Sequence, residues 1–342
     1  MRIRRLFLIL LCCVSLLAGC TGAGVQAAAT PTSGARATET AILTIEKPST
    51  ATTESHTATA PVATATLALP LVLTSPPTVT PAPVVRFAVI GDYGMGNQAE
   101  ADVAALVASW QPDFVITTGD NNYPSGASQT IDANIGQFYH AFIFPYLGSY
   151  GSGADVNRFF PSLGNHDWDT SSAQPYLDYF TLPGNERYYD FVWGPLHLFA
   201  LDSDSREPDG VGQSSTQAAW LQARLASSTS PWNVVYFHHA PYSSGQHGST
   251  TWARWPYKDW GASVVLAGHD HTYERLLVDG IPYFVNGLGG GSIYTFGTPL
   301  PESQARYNTD YGAMLVQASE TSITFQLFNR GNELIDSYTI DK

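Results

Sequence analysis

The chain has 342 residues, with 16 Lys and Arg against 29 Asp and Glu, and its formal charge of −13 disfavours nucleic-acid backbones and anionic lipid surfaces as partners. All three cysteines lie in the first 20 residues, so the rest of the chain has neither a disulfide nor a thiolate metal ligand. Any metal ion bound there must therefore be held by nitrogen and oxygen atoms.

The first 20 residues are typical of a bacterial lipoprotein signal. Three arginines precede an apolar run that is too short for a stable membrane span, and the run ends at residues 17–20 in the sequence LAGC. The alternative is a plain secretory signal with a chance cysteine. The lipoprotein interpretation predicts that residues 1–19 are removed and that Cys20 carries a lipid. The protein would then be extracytoplasmic and anchored to a bacterial membrane through Cys20.

Residues 20–83 are predicted to be a disordered tether. The segment is dominated by Thr, Ala, Pro and Ser, and it contains no Phe, Trp or Tyr. Such a composition cannot bury enough apolar area to offset the entropy lost on ordering. Once residues 1–19 are removed, 13 basic and 29 acidic side chains remain, a net charge of −16, so membrane attachment depends on the lipid. Residues 84–342 remain for a single domain.

Within this body, apolar runs alternate with helical patterns. In chain order, the predicted elements are a strand at 84–92, a helix at 98–110, buried-type runs at 112–120 and 158–167, a hairpin at 188–203, a helix at 215–227, strands at 232–241 and 262–271, and turn-linked strands at 313–340. Strands that alternate with helices predict an α/β body, and the later hairpins suggest a second sheet packed beside the first.

Polar clusters follow five of the predicted strands, at the carboxyl ends where α/β sheets bind ligands. The clusters read GDYG, GDNNY, GNHD, YFHHAPYSSGQHG and GHDH, and the last three hold six of the nine histidines. Carboxylate, amide and imidazole groups without sulfur suit ions such as Fe, Zn and Mn. Two such ions roughly 3.5–4 Å apart clamp the attacking and leaving oxygens of a phosphoryl transfer.

These blocks resemble the motifs of the calcineurin-like metallophosphoesterases, and among them the purple acid phosphatases of the tartrate-resistant type. The pattern GDxG, GDxxY, GNH[DE], VxxH and GHxH occurs in that order, at residues 91–94, 119–123, 164–167, 235–238 and 268–271. The resemblance extends from residue 86 to about residue 291. It implies an α/β fold of the four-layer metallophosphoesterase type, with two mixed β-sheets packed as a sandwich and flanked by α-helices.

The resemblance also implies two metal sites that share one carboxylate. The implied ligands are Asp92, Asp120, Tyr123 and His271 for the first ion, and Asp120, Asn165, His238 and His269 for the second. Many relatives in the wider superfamily have a histidine two residues after the first aspartate; this chain has Gly94 there, and Tyr123 replaces that ligand. Because a phenolate prefers a hard, highly charged ion, the implied cofactors are Fe(III) in the first site and Fe(II), Zn or Mn in the second.

The adjacent pair His238 and His239 leaves two possible ligands. His239 fits an HxP variant of the motif, since Pro241 lies two residues after it. His238 fits VxxH, and His247 follows it by nine positions, which is the family spacing for a substrate-facing histidine. The pattern therefore favours His238, and His239 would then either support the ligands from behind or line the pocket wall.

The implied reaction is hydrolysis of small phosphate monoesters by a hydroxide formed on the metals. His166 and His247 are the implied catalytic residues, which hold the phosphate and protonate the leaving alkoxide, and Asp167 is expected to orient His166. One alternative is a phosphodiesterase on the same metal core. Another is a lipid-tethered binding protein that keeps the fold without turnover.

The lipoprotein interpretation is tested by replacing Cys20 with Ser, because the variant lacks the sulfur that would carry the lipid. We expect Cys20→Ser to move from the membrane pellet to the soluble fraction after cell fractionation and immunoblotting. Cys12→Ser, which changes a cysteine within the predicted signal, should stay in the pellet. A wild-type protein in the soluble fraction would contradict the interpretation.

Overall fold

The computed structural model describes residues 84–342. The predicted signal segment, the predicted tether and Cys20, which is predicted to carry a lipid, lie outside the described residues. The proposed division of the chain into 1–19, 20–83 and 84–342 therefore stays a prediction. Between residues 84 and 342, every helix is too short or too polar to cross a membrane.

Strands account for most of the regular structure. They are β1 (Val85–Ile90), β2 (Phe114–Thr117), β3 (Phe159–Pro161), β4 (Tyr189–Trp193), β5 (Leu196–Ala200), β6 (Trp232–His239), β7 (Val264–Gly268), β8 (Tyr273–Val278), β9 (Ile281–Asn286), β10 (Ser303–Tyr307), β11 (Gly312–Ala318), β12 (Ser322–Asn329) and β13 (Leu334–Asp341). The hairpin expected at 188–203 is confirmed as β4 and β5. Strands β8, β9 and β10 were not predicted from the sequence.

Helices flank the strands. They are α1 (Gln98–Ser109), α2 (Ser128–Ile131), α3 (Gln137–Tyr139), α4 (Asn165–Trp168), α5 (Gln174–Tyr179), α6 (Thr216–Ala226) and α7 (Tyr257–Trp260), with a π-helical segment at Asp132–Gly136 and 3₁₀ turns at His140–Phe142, Ser171–Ala173 and Thr251–Ala253. The two long helices begin at capping side chains, since Asn97 accepts from the Glu100 amide at 2.9 Å and Ser215 from the Ala218 amide at 3.0 Å. Both helices confirm the patterns at 98–110 and 215–227.

The strands form two mixed sheets. The first has the order β13-β12-β11-β1-β2-β3, and the second has the order β10-β8-β9-β7-β6-β5-β4. In the first sheet β1, β2 and β3 run parallel, and in the second β5, β6, β7 and β9 run parallel, while the outer strands pair antiparallel. The predicted arrangement of two mixed sheets is therefore confirmed.

The two sheets share one apolar core. Phe87 of β1 stacks on Phe114 of β2 with ring centroids 4.9 Å apart, and Tyr236 of β6 belongs to the same buried cluster. Val235 and Phe237 of β6 point the other way and pack with residues of α6 and α7. Because successive side chains of a strand face opposite sides, β6 contacts both the partner sheet and the outer helices. This arrangement is the predicted sandwich with flanking helices.

The terminal hairpins extend the first sheet. Strand β11 pairs antiparallel with β1, with Ala318 opposite Val85, and β12 and β13 follow outward from β11. The second sheet is built instead from β4 to β10. The expectation that the later hairpins form the second sheet is therefore wrong for the last three strands, because alternation along a strand does not reveal which edge it will pair with.

The two sheets are joined by a partly buried ion pair near the chain's end. Asp336 of β13 accepts from Arg275 Nε of β8 at 2.7 Å and from Tyr273 Oη at 2.7 Å. Burial opposes ionisation of Asp336, but the hydrogen bonds from Arg275 and Tyr273 lower the pKa of its carboxyl below the ordinary value. The interaction therefore ties an outer strand of one sheet to the other sheet.

We expect Asp336→Asn to lower the free energy of unfolding by about 1–3 kcal/mol at pH 7. A depressed folded-state pKa contributes stability above the ordinary aspartate pKa and loses it as the pH falls, so the difference should shrink below about pH 4. Denaturant titrations of wild type and variant at several pH values measure this. Asp310→Asn, which breaks a more exposed pair with Arg330, should cost less than about 1 kcal/mol. A pH-independent difference for Asp336 would rule out the carboxylate as its source.

Candidate metal centre

The first predicted ligand set meets where β1, β2 and β7 end. Tyr123 Oη lies 3.0 Å from Asp120 Oδ2 and 3.1 Å from His271 Nε2. His271 Nε2 lies 3.4 Å from Asp92 Oδ1. All four side chains are buried. The fold therefore brings together the four residues predicted for the first ion.

The second predicted set lies beside the first. His238 Nε2 is 3.0 Å from Asn165 Oδ1, 3.1 Å from His269 Nδ1 and 3.4 Å from Asp120 Oδ2. The same Asp120 oxygen also faces Tyr123 of the first set. Asp120 therefore belongs to both clusters and would contact both ions if each cluster held one; the resemblance implies such a shared carboxylate.

Hydrogen-bond partners show which ring nitrogens carry lone pairs. His238 Nδ1 lies 2.9 Å from the Thr118 carbonyl, and His271 Nδ1 lies 2.7 Å from the Ser292 carbonyl. A carbonyl only accepts, so both Nδ1 atoms carry hydrogen and both Nε2 atoms of the neutral rings present lone pairs to the acids. Ligand atoms bound to one ion at about 2.0–2.2 Å lie about 3–3.5 Å apart, which is the spacing found here. The donor set therefore fits metal cations.

Charge is concentrated in this buried space. Burial alone would lower the pKa of His238, but the charges of Asp120 and Asp92 raise it. Burial alone would likewise lower the pKa of His271, but the hydrogen bond and the charge of Asp92 raise it. His269 faces other imidazoles, and burial together with His238 lowers its pKa. Metal ions would displace the protons that compensate these carboxylates.

Three of the predicted ligands adopt a left-handed backbone conformation. The φ angles are 53° at Asp92, 52° at Asp120 and 72° at His269. Residues other than glycine rarely occupy this region, and such strain clusters at functional sites. The three residues that the fold holds in this unfavourable conformation are therefore predicted metal ligands.

Gly94 shows why this chain lacks a histidine two residues after Asp92. A Cβ atom at Gly94 would lie 1.7 Å from the carbonyl oxygen of Asn121, so no side chain fits. The Gly94 carbonyl accepts from the Tyr123 amide at 2.8 Å. The loop that carries Tyr123 therefore lies directly against Gly94, and this close approach brings Tyr123 to the first cluster.

The structure separates the two adjacent histidines. His238 is fully buried and its Nε2 belongs to the second cluster, whereas His239 Nδ1 contacts the Ser203 hydroxyl at 2.9 Å. Ligand atoms of His238, His239 and His269 still lie within 4.8 Å of one another. A register shift between Tyr236 and His239 in the β6–β7 pairing lets both rings approach this region. These contacts favour His238, and its assignment as the ligand stays a prediction.

The two predicted catalytic histidines lie beside the clusters. His166 is partly exposed, its Nδ1 is 2.5 Å from the Pro124 carbonyl, and its Nε2 is 3.9 Å from Asp120 Oδ2. The His247 side chain is exposed, and its ring stacks on the His269 ring with centroids 4.1 Å apart. Both rings are therefore within reach of a substrate bound at the clusters.

Asp167 does not orient His166, and that expectation is wrong. Asp167 Oδ2 accepts from the Gly164 amide and from Asn121 Nδ2, both at 2.9 Å. Consecutive residues of a helix do not face each other, whereas residues three apart do. Asp169, three residues on, is accordingly the carboxylate of this segment that lies beside His166, 3.9 Å from its Nδ1.

Sequence reasoning missed two residues at the rim. Tyr294 stacks on His271 with ring centroids 4.1 Å apart and lies edge-on to His247 at 5.4 Å. Arg206 Nη2 donates to the Asn165 carbonyl at 2.8 Å. Neither residue belongs to a motif block, and only tertiary structure brings them near the clusters, so the spacing held no signal for them.

Metal analysis of two single variants tests which histidine is the ligand. His238→Ala removes an imidazole from the second cluster, so we expect it to bind one metal ion fewer per chain than the wild type. His239→Ala, the matched control, should keep the wild-type metal content. The reverse pattern would identify His239 as the ligand.

Comparisons with known proteins show which family the chain belongs to. The family model for calcineurin-like phosphoesterases matches residues 85–273. Purple acid phosphatase 17 of Arabidopsis thaliana is 27% identical over 246 residues, covering 61% of this chain and 68% of the relative. Tartrate-resistant acid phosphatase type 5 of Rattus norvegicus is 26% identical over 249 residues, covering 61% and 73%.

Solved structures show the same fold. The purple acid phosphatase PPD1 from yellow lupin seeds aligns with a TM-score of 0.62 at 18% identity, covering 76% of this chain but only 54% of the lupin chain. GAP50, described as the anchor in the inner membrane complex of Plasmodium, aligns with a TM-score of 0.59 at 17% identity, covering 75% and 89%. The chain belongs to the calcineurin-like phosphoesterase family, as a hydrolase of phosphoric esters related to the purple acid phosphatases.

Proposed function

We propose that this protein is a binuclear acid phosphatase that hydrolyses phosphate monoesters. The observation that supports this most directly is the position of Asp120 Oδ2, which faces Tyr123 of one cluster and His238 of the other. A carboxylate shared in this way would hold two neighbouring ions of the kind that assist phosphoryl transfer. The proposed cofactors are Fe(III) in the first site and Fe(II), Zn or Mn in the second.

Tyr123 supports a trivalent ion in the first site. Burial and the charge of Asp120 raise the pKa of the Tyr123 hydroxyl well above its ordinary value. Ionisation of a hydroxyl with so high a pKa would need a strongly polarising cation bound to its oxygen. Fe(III) is the ion of this kind that suits a phenolate and carboxylates together.

When bound, the two ions supply Lewis-acid stabilisation of the charge that develops on the phosphoryl oxygens. The chain's own residues orient the substrate and move protons. The Pro124 carbonyl fixes a hydrogen on His166 Nδ1, so His166 Nε2 faces the cluster and, when protonated, donates to a phosphate oxygen. This contact holds the ester in place for attack.

His247 is proposed to donate the proton that the leaving alkoxide needs. The His247 ring stacks on the His269 ring. Among residues 84–342, no side chain or backbone group forms a hydrogen bond with His247 Nδ1 or Nε2, so both of these nitrogens are available to a substrate. A positioned general acid contributes about 10²–10⁴ in rate, most strongly when the leaving group is a poor one.

The protein is further proposed to act outside the cytoplasm on small phosphoesters while anchored through a lipid on Cys20. The supporting observations are the LAGC sequence at residues 17–20 and the low-complexity segment that follows it. Its acidic composition favours neither nucleic acid nor an anionic lipid surface as a partner.

The test compares two substrates that share a leaving group, p-nitrophenyl phosphate and bis-p-nitrophenyl phosphate. We expect the metal-loaded wild type to hydrolyse the monoester at least about tenfold faster, measured as kcat/KM. The same preparation should show a visible tyrosinate-to-iron band. Tyr123→Phe should abolish the band, whereas Tyr93→Phe, which alters a buried tyrosine outside the clusters, should keep it.

Each other outcome has a defined meaning. Faster diester hydrolysis would support a phosphodiesterase on the same core. No hydrolysis of any phosphoester by the metal-loaded protein would support a tethered binding protein, a role for which the likeness to GAP50 supplies only the fold. A colourless, iron-free and active enzyme would remove Tyr123 and Fe(III) from the proposal.

A further inference from the structure

The carboxylate of Asp270 lies between two predicted ligands in the chain but belongs to neither metal cluster. Asp270 follows His269 and precedes His271, and its side chain is fully buried. Its Oδ1 accepts from the backbone amide of His247 at 2.7 Å, and its Oδ2 accepts from Ser243 Oγ at 2.5 Å. Both oxygens are therefore directed at the loop that carries His247.

The loop at 243–247 is shaped around this carboxylate. Ser243 Oγ, which donates to Asp270, also accepts from the Gly245 amide at 2.9 Å. A Cβ atom at Gly245 would lie 2.3 Å from Asp270 Cγ, so only glycine permits this approach. Asp270 thus lies against the first, third and last residues of the loop, which are Ser243, Gly245 and His247.

Simple anchoring of the loop does not account for Asp270, because the loop has a second anchor. Buried Glu274 accepts from the Ser244 amide at 2.6 Å and from Ser244 Oγ at 2.7 Å. In the part of the chain that the structure describes, no Lys or Arg forms an ion pair with either carboxylate. Of these two carboxylates, only Asp270 forms a hydrogen bond with the catalytic candidate, His247.

We propose that Asp270 is the positioning residue for His247. Its hydrogen bond holds the backbone of His247, while the His269 ring supports the imidazole by stacking, and the two contacts together aim His247 at the leaving group. The inference rests on the proposed function, since it assumes that His247 is the proton donor.

Leaving-group dependence separates positioning of an acid from general damage. p-Nitrophenolate departs without a proton, whereas the alkoxide of ethyl phosphate needs one. We expect His247→Ala to slow the hydrolysis of ethyl phosphate by about 10²–10⁴-fold and the hydrolysis of p-nitrophenyl phosphate by less than about tenfold. Asp270→Ala should slow ethyl phosphate at least about tenfold more than p-nitrophenyl phosphate. In the His247→Ala background it should add less than about threefold, because the two residues act as one unit.

Two further variants guard against trivial failure of Asp270→Ala. Asp270→Asn keeps an oxygen acceptor for the His247 amide, so it should retain ethyl phosphate activity to within about threefold. Gly245→Ala pushes the loop away from the Asp270 carboxylate but leaves the sequence between the predicted ligands His269 and His271 unchanged. It should therefore slow the hydrolysis of ethyl phosphate more than that of p-nitrophenyl phosphate, as Asp270→Ala does. Glu274→Gln changes the other carboxylate that binds this loop and serves as the control. It should change the rates of hydrolysis of both substrates by the same factor.

Hydrogen exchange gives a readout that is independent of activity. In the wild type, the His247 amide donates to a buried carboxylate and should exchange slowly. In Asp270→Ala, exchange over residues 243–248, followed by mass spectrometry of the whole chain, should be about tenfold faster or more. Metal content, measured on the same samples, should equal that of the wild type.

Several results would overturn the inference. They are equal losses on both substrates, additive effects of Asp270→Ala and His247→Ala, unchanged exchange at His247, or loss of metal from both Asp270→Ala and Gly245→Ala. A wild type that hydrolyses no monoester, or a His247→Ala variant without leaving-group selectivity, would instead contradict the proposed function. A selective His247→Ala beside unselective Asp270 variants would contradict this inference alone.

Discussion

A single carboxylate oxygen, Oδ2 of Asp120, lies 3.0 Å from Tyr123 Oη on one side and 3.4 Å from His238 Nε2 on the other. Its companion oxygen accepts from the His166 backbone amide at 2.9 Å, which prevents the group from turning away. A buried carboxylate needs compensating charge, and two cations on either side would supply it. Both predicted ligand sets and His166 therefore contact this one carboxylate.

The two halves of the sandwich contribute different chemistry to the site. The first sheet supplies the oxygen donors, because Asp92, Asp120 and Asn165 follow β1, β2 and β3. The second supplies the imidazoles from β6 and the end of β7. The contact between His238 Nδ1 and the Thr118 carbonyl joins these halves at the site itself. The predicted ligands therefore come together only where the two sheets pack against each other.

Much of this arrangement could be predicted from local sequence. Three of the motif blocks lie where a buried strand ends in a short polar turn, so periodicity and composition together locate Asp92, Asp120 and His269 at strand ends. Pairing between distant segments left no such trace, which is why β11 to β13 were expected in the wrong sheet. Helical rotation over a single turn likewise decides that Asp169, and not Asp167, lies beside His166.

The left-handed backbone at Asp92, Asp120 and His269 has a consequence for folding. Each residue in that conformation costs of order 1–3 kcal/mol, and the cost persists whether or not an ion is bound. Ions that bind only the folded chain shift the equilibrium back by mass action. If ions bind as proposed, metal supply would help to set how much folded protein exists, and a chelator would lower the stability of the fold as well as the activity.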